Sequence, residues 1–461
     1  MHHPRRRQVL ATLAASAATL PTATRAAPRR VAVIGGGMAG VATAWLLDGT
    51  HDVTLFEARD AIGGNVRTLS VQAEGRTWAV DMGAQYFHPV PYPTYVQLLT
   101  QLGLYPQATG GSHAFPVSIT VGLGGEETPR FVSPVLPGRA WPLLAPWNLD
   151  GIQAFSTAFR AAKRREQADA SWNLTLGDWL PTLGLSTAQW EHLLLPWAAS
   201  LFSGDVEQAR GLSARSAMIF AAGAVPDNPT DPAVYHVLDG GMIEPLNRMA
   251  AMFGTVQVNT GNPVVTVARR LQGGFVVQPA SGPAVQVDDV VFAASGPPTL
   301  ALLASLSGTA VQRAALQGIQ FHDARLMLHS DPACAWPQPV MHSFFNAQVD
   351  GGFCEGSMRL GDVLPPQGGT TPSLWKSWVT HRSSLPQQVL HDVTYRHMLP
   401  TPASLNAQNA LRPLQGLGRV WFAGGYLEHY DSQETALRSA MTVATGLGAS
   451  SARWRRLSGL A

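Results

Sequence analysis

Three glycines near the start of the chain carry the clearest chemistry. Gly35, Gly37 and Gly40 form G-x-G-x-x-G, and Glu57 follows 22 residues after the first of them. In this spacing the first glycine makes a tight turn and the second lets the backbone approach a pyrophosphate. The third allows a helix to pack closely. Met38 and Ala39 then stand at a helix start, where free N–H groups and the positive dipole end favour phosphates. A carboxylate about 20 residues on can accept a ribose hydroxyl hydrogen bond. The pattern predicts a dinucleotide site.

Such a motif works only on the right elements. Val31, Ala32, Val33 and Ile34 read as a short buried parallel strand. Residues 41–47 read as a helix, and residues 52–56 as a second strand that delivers Glu57 and Ala58. In a chain with 45 glycines the three glycines alone are weak evidence, but strand, loop, helix, strand and acid in this order are strong.

Composition sets the outer limits. The chain has 461 residues, 46% hydrophobic and 13% charged, enough for two or three domains and too apolar for a disordered protein. No uncharged apolar run approaches the ~20 residues of a membrane span. Only Lys163 and Lys376 are lysines, and neither lies in a GxxxxGK[ST] loop, which excludes Walker-type nucleotide hydrolysis. Cys334 and Cys354 are too few for a disulfide scaffold or a four-cysteine metal site, and the sequence leaves their pairing open. No G-x-S-x-G, HExxH or CxxC occurs, so no metal site is expected.

Residues 1–26 read as an export signal. Arg5, Arg6 and Arg7 precede a mild apolar run to Leu20 and a small-residue site ending at Ala26. Arg6-Arg7 followed by Gln8-Val9-Leu10 resembles a twin-arginine signal, which predicts a periplasmic or secreted protein. Cleavage after Ala26 leaves 28 basic residues against 30 acidic ones. That balance argues against nucleic acid or an anionic membrane as partner.

Beyond Glu57, Gly63-Gly64-Asn65-Val66-Arg67 resembles the second glycine doublet of the flavin-containing amine oxidase superfamily. The likeness continues in Asp81-Met82-Gly83-Ala84-Gln85-Tyr86, in Pro263-Val264, in Ala423-Gly424-Gly425 and in Gln433-Glu434-Thr435-Ala436. It points to a bacterial subgroup related to protoporphyrinogen oxidases and polyene desaturases. The implied fold is α/β: a Rossmann-like FAD-binding domain of the glutathione-reductase/amine-oxidase type with an inserted α+β substrate domain. The FAD domain is expected from residues 31–100, 235–298 and 409–450, and the substrate domain from 101–234 and 299–408. By the same resemblance Asn65 and Arg67 approach the phosphates, Gly83, Ala84, Gln85 and Tyr86 pass beside the flavin, and Val264 meets the adenine. The helix opening at Gln433 points its N-terminus at the flavin pyrimidine.

Two departures matter. Many members place an acid after the Ala-Gly pair to hold the ribityl chain, and this chain has Gly425. Amine oxidases usually carry a lysine on the strand read here as residues 324–328, where only Arg325 is cationic. Arginine stays protonated and cannot serve as a base, so carbon–carbon desaturation or isomerisation gains weight over amine oxidation. His429 and Tyr430, in the C-terminal loop, and Tyr86 are the candidate catalytic residues. The implied reaction is hydride transfer from a hydrophobic small molecule to flavin N5, with re-oxidation by oxygen or a quinone. A double-bond isomerase and a catalytically silent FAD-binding protein are the alternatives. With no cysteine after Cys354, the FAD is expected to be non-covalent.

In the expected substrate domain, Ile152, Phe155 and Phe159 form one stripe of an amphipathic helix over residues 151–168. Lys163, Arg164 and Arg165 are expected on its other face. Trp375 and Trp378, flanking Lys376, are expected to line the interior or edge of this domain.

Overall fold

The apolar run at Val31–Ile34 becomes the centre of a five-stranded parallel sheet. The computed structural model describes residues 28–106, 111–136, 143–226, 231–332 and 336–459. The expected export signal and Cys334 lie outside them. The sheet runs Val420–Phe422, Asp289–Phe292, Arg30–Ile34, Asp52–Phe56, Gln257–Asn259. Every neighbouring pair is parallel. Its four strands other than the exposed edge Gln257–Asn259 carry mostly buried apolar runs, because helices or a second sheet cover both faces. On one side lies the helix Met38–Leu47, all ten of whose residues are buried. Its Val41 and Trp45 share a core with Leu437, Ala440 and Val443 of the helix Gln433–Gly446.

On the other side, Phe275 and Val277 of a three-stranded antiparallel sheet (Val264–Arg269, Phe275–Pro279, Val285–Val287) pack with Ile34, Phe56 and Phe292. Leu303, Leu316 and Leu411 join the same core, from the helices Gly296–Ala304, Ala310–Gln317 and Pro402–Leu411. The stretches around 299–318 and 402–408, read from sequence as substrate domain, therefore pack with the dinucleotide sheet. Those helices bury an apolar face, and the sheet supplies the surface that covers it.

A second, seven-stranded sheet runs Val389–Met398, Phe321–His329, Trp375–Trp378, Phe353–Arg359, Phe345–Asp350, Ile119–Leu123, Phe131–Val132. It is antiparallel except where Phe345–Asp350 meets Ile119–Leu123. The 22-residue helix Pro146–Gln167 packs beside it, with Ala154, Phe155 and Ala158 in one core with Ala217 and Met218 of the helix Ala214–Ala224. Among the described residues no helix is long and apolar enough to cross a membrane.

Candidate functional site

The first glycine loop is built on sterics that no other residue satisfies. Gly35 sits at φ +117°, and a Cβ on Gly40 would stand 1.8 Å from the Gly35 carbonyl oxygen. With both as glycine, the helix Met38–Leu47 starts directly against the strand end. The Gly36 N–H donates to Glu57 Oε2 at 2.6 Å and the Arg59 N–H to Glu57 Oε1 at 2.9 Å, so the carboxylate is fixed at the strand end. The second glycine loop docks on the first: the Gly63 N–H donates to the Gly36 carbonyl at 2.8 Å.

These loops form one end of a continuous cavity of about 1380 Å³. Gly35, Gly37, Met38, Ala39, Glu57, Ala58, Gly64, Asn65 and Val264 line that end. The middle is walled by Gly83, Ala84, Gln85 and Tyr86, by Gly424 and Gly425, and by Tyr430, Gln433 and Ala436. The far end is apolar, with Ile152, Phe155, Phe159, Trp197, Phe202 and Phe220 on its walls. Residues predicted from four separate stretches of sequence thus meet on one surface.

Six predicted residues do not reach it. Gly40 and Gly63 lie behind the loops they shape. Arg67 lies off the wall, and its carbonyl accepts from Met82 N–H; Arg59 supplies a wall guanidinium instead, donating to the Gly64 carbonyl at 2.8 Å. Glu434 turns away to accept from the Thr94 and Tyr95 N–H groups at the start of the helix Pro93–Gln101. Thr435 completes a capping box with Ser432. His429 is also off the wall: its ring stacks on Trp172 at 3.9 Å, and Arg215 sits 3.9 Å from the same indole. Burial pulls the His429 imidazole down to about 4, so the stack holds a neutral ring. Tyr430 keeps its place on the wall. Burial raises its phenol, and raises that of Tyr86 to about 12.

Three features were missed. The first is Lys376. Its strand, Trp375–Trp378, pairs with Phe321–His329 so that Lys376 lies opposite Leu328. Side-chain alternation then puts Lys376 and Trp378 on the cavity face. Lys376 is 2% exposed and donates to the Asp81 carbonyl at 2.7 Å. Burial lowers its ammonium against the pull of the Asp81 charge, and the Asp81 carboxylate accepts from Thr68 and from the Met242 N–H. Arg325, the cation expected nearby, points outward to Asp392. A lone lysine between two tryptophans in a chain of two lysines was the available signal.

The second is Asp431. A Cβ on Gly425 would stand only 2.1 Å from Asp431 Oδ1, so the Asp431 carboxylate occupies the space of the missing side chain. It faces the cavity, accepts no hydrogen bond from the described residues, and is pushed up to about 6 by its depth in the molecule. The third is the helix Pro146–Gln167, whose Arg160, Lys163 and Arg164 share the cavity face with Ile152, Phe155 and Phe159. Lys163 is four residues after Phe159, one turn along the same stripe, and Arg164 follows it, so the expected opposite face holds for neither of them.

The sequence pattern of the flavin containing amine oxidoreductases matches residues 38–322, more than half of the chain. The chain belongs to the flavin-containing amine oxidoreductase family. That family is one of flavin-containing oxidoreductases. An L-amino-acid oxidase of Bungarus fasciatus is 49% identical over 57 residues, 12% of this chain and 11% of the oxidase. The chain thus matches only about a tenth of that relative's length. Among solved structures, a fatty acid isomerase of P. acnes superposes with TM-score 0.64 at 13% identity, covering 91% of this chain and 99% of the isomerase. A putrescine oxidase superposes with TM-score 0.62 at 16% identity, covering 91% and 99%. At these identities the superpositions show the shared fold. The family's FAD fits the residues present, because Gln85 Oε1 and Gln433 Nε2 are buried without partners and both side chains border the cavity.

Proposed function

We propose that this oxidoreductase takes a hydride from a C–H bond of a hydrophobic small molecule, with re-oxidation by oxygen or a quinone. The observation that carries the reading is the continuity of one cavity from the glycine loops to an apolar, aromatic chamber. FAD supplies the hydride acceptor when bound. The chain supplies position and field. Gly37, Gly64 and the helix start at Met38 would receive the pyrophosphate, Glu57 the ribose, and Asp431 a hydroxyl of the ribityl chain. The N-terminus of the helix Gln433–Gly446, capped by Ser432, favours negative charge in front of it. Tyr86, held among Phe115, Tyr235 and Phe344, fixes one wall of the chamber, and Lys376 holds a single cation at another. The apolar walls keep water from a reacting C–H bond.

The layout of residues 1–26 supports export by a twin-arginine route after FAD is loaded. The visible spectrum of the purified protein, followed by anaerobic photoreduction and admission of air, tests the reading. Flavin bands that bleach and return within seconds identify an oxidase. Slow return identifies a dehydrogenase with another acceptor. Substrate turnover without consumption of any acceptor identifies an isomerase and overturns net oxidation.

A further inference from the structure

We infer that Trp172 is a positioning residue for the cofactor site: its stack on His429 fixes the turn that carries Tyr430 and Asp431 to the cavity. This rests on the reading of the Asp431 carboxylate as a partner of the ribityl chain. The turn over residues 428–432 is held from two sides. Its ends belong to the dinucleotide side, where Gln408 Nε2 donates to the Tyr426 and Glu428 carbonyls and Ser432 caps the helix Gln433–Gly446. Its middle is held by residues from the substrate side. Ser216 Oγ donates to the His429 carbonyl at 2.8 Å, and the Trp172 ring lies 3.9 Å from the His429 ring, 6° from parallel. Tyr430, next in sequence, meets the Phe220 ring edge-on at 5.7 Å.

Trp172 is not a core residue. It lies half-buried in the connection between the helix Pro146–Gln167 and the short helix Leu176–Trp179, and it joins none of the hydrophobic cores of the described residues. What fixes its indole is Arg215, buried in the first turn of the helix Ala214–Ala224. The guanidinium sits 3.9 Å from the indole ring. It is pinned there by the end of the long helix: by both Glu166 oxygens, by Asp169 at 2.7 Å and by the Ala170 carbonyl at 2.7 Å. A cation over an indole is attracted by the ring, and more so where water is excluded. Trp172 therefore offers His429 a flat surface that is already in place.

Asp431 depends on this arrangement because its own side chain is not tied to the protein. The carboxylate accepts no hydrogen bond from the described residues, and it faces the cavity because the turn lays it over Gly425. With His429 unstacked, the turn is free to rotate between its two ends. Ordering it then falls to the bound cofactor, which weakens binding. The helix Ala214–Ala224 serves both sites: Arg215 and Ser216 hold the turn, while Ala217, Ala221 and Ala224 line the cavity.

The test is a double-mutant cycle on FAD binding to the apoprotein, read by flavin fluorescence, with the visible circular dichroism of the bound flavin alongside. Trp172→Ala should weaken FAD binding about five-fold, the size of one aromatic stack, and should alter the flavin dichroism. Trp172→Phe and His429→Phe each keep a flat ring and should stay within about two-fold of wild type. In an Asp431→Ala background, Trp172→Ala should add less than about two-fold, because the carboxylate that the stack positions is already gone. Trp172→Leu, which keeps apolar bulk without the flat ring, carries the same expectation and replaces the alanine variant if that variant does not fold. Wild-type FAD affinity without the Trp172 ring, or full additivity with Asp431→Ala, overturns the positioning role and leaves Asp431 as a cofactor ligand. Equal losses in His429→Phe and Trp172→Ala assign the effect to the imidazole and overturn the stack. An Asp431→Ala protein that binds FAD as tightly as wild type overturns the ribityl reading, and this inference with it.

Discussion

Replacing Asp431 by asparagine separates holding the cofactor from holding the fold. The carboxylate has no hydrogen-bond donor among the described residues, so its removal breaks nothing in the protein. A hydrogen bond to a charged group contributes about 1.5–3 kcal/mol. The amide keeps an acceptor oxygen and loses only the charge, which puts the loss near the lower end, about ten-fold in the FAD dissociation constant. Asp431→Ala should reach about a hundred-fold.

Stability of the apoprotein should move the other way. The carboxyl rises from 3.8 to about 6 on folding, so at neutral pH its ionised form opposes folding. The full shift converts to about 3 kcal/mol; screening by water in the cavity reduces this to about 1 kcal/mol. Asp431→Asn apoprotein should therefore melt at the same temperature as wild type or slightly higher at pH 7. The two should converge below about pH 4, where both carboxyl states are neutral. FAD titration of apoprotein by flavin fluorescence, with melting curves alongside, measures both quantities. A double variant, Gly425→Asp/Asp431→Gly, returns a carboxylate to the same space from the other residue and should recover part of the affinity. FAD binding within two-fold of wild type in Asp431→Asn, or a lower apoprotein melting temperature, refutes the reasoning.

Other consequences are as direct. Gly40→Ala puts a Cβ 1.8 Å from a backbone oxygen that cannot retreat, so the purified protein should be colourless and FAD titration should show no saturable binding. Lys376→Met leaves the buried Asp81 carboxylate without its cation and should cost about 3 kcal/mol, read as a lower urea midpoint; adding Asp81→Asn should recover part of it. Burial lowers His329 and His397 to about 4 from 6.5. The unfolded chain takes up those protons first, so stability is full above about pH 6.5 and is lost as pH falls toward 4. Each histidine contributes up to about 1.4 kcal/mol per pH unit in that window. Urea midpoints between pH 7 and 4.5 should show it, and His397→Phe should flatten the slope.

The dinucleotide end was legible in the sequence because its requirements are local. Gly35, Gly37, Gly40 and Glu57 lie within 23 consecutive residues, and backbone sterics at a strand–helix turn admit almost nothing else. Phe56 and Glu57 sit where the strand reading put them, and the helix at Gln433 starts at the predicted residue. The chemistry of the far end depended on packing between distant segments. Lys376 reaches the cavity through strand pairing with Leu328, and that register is set by hydrogen bonds between strands 48 residues apart. Asp431 replaces the side chain absent at Gly425 only because a short turn folds residue 431 back over it. His429 lies in the predicted loop, yet a tryptophan from residue 172 draws its ring away from the cavity. The sequence by itself determined the fold class and the glycine loops, through short-range sterics and periodicity. Which charged groups face the substrate was decided by tertiary structure, because side-chain direction follows from register and burial, and these exist only once the two sheets are assembled.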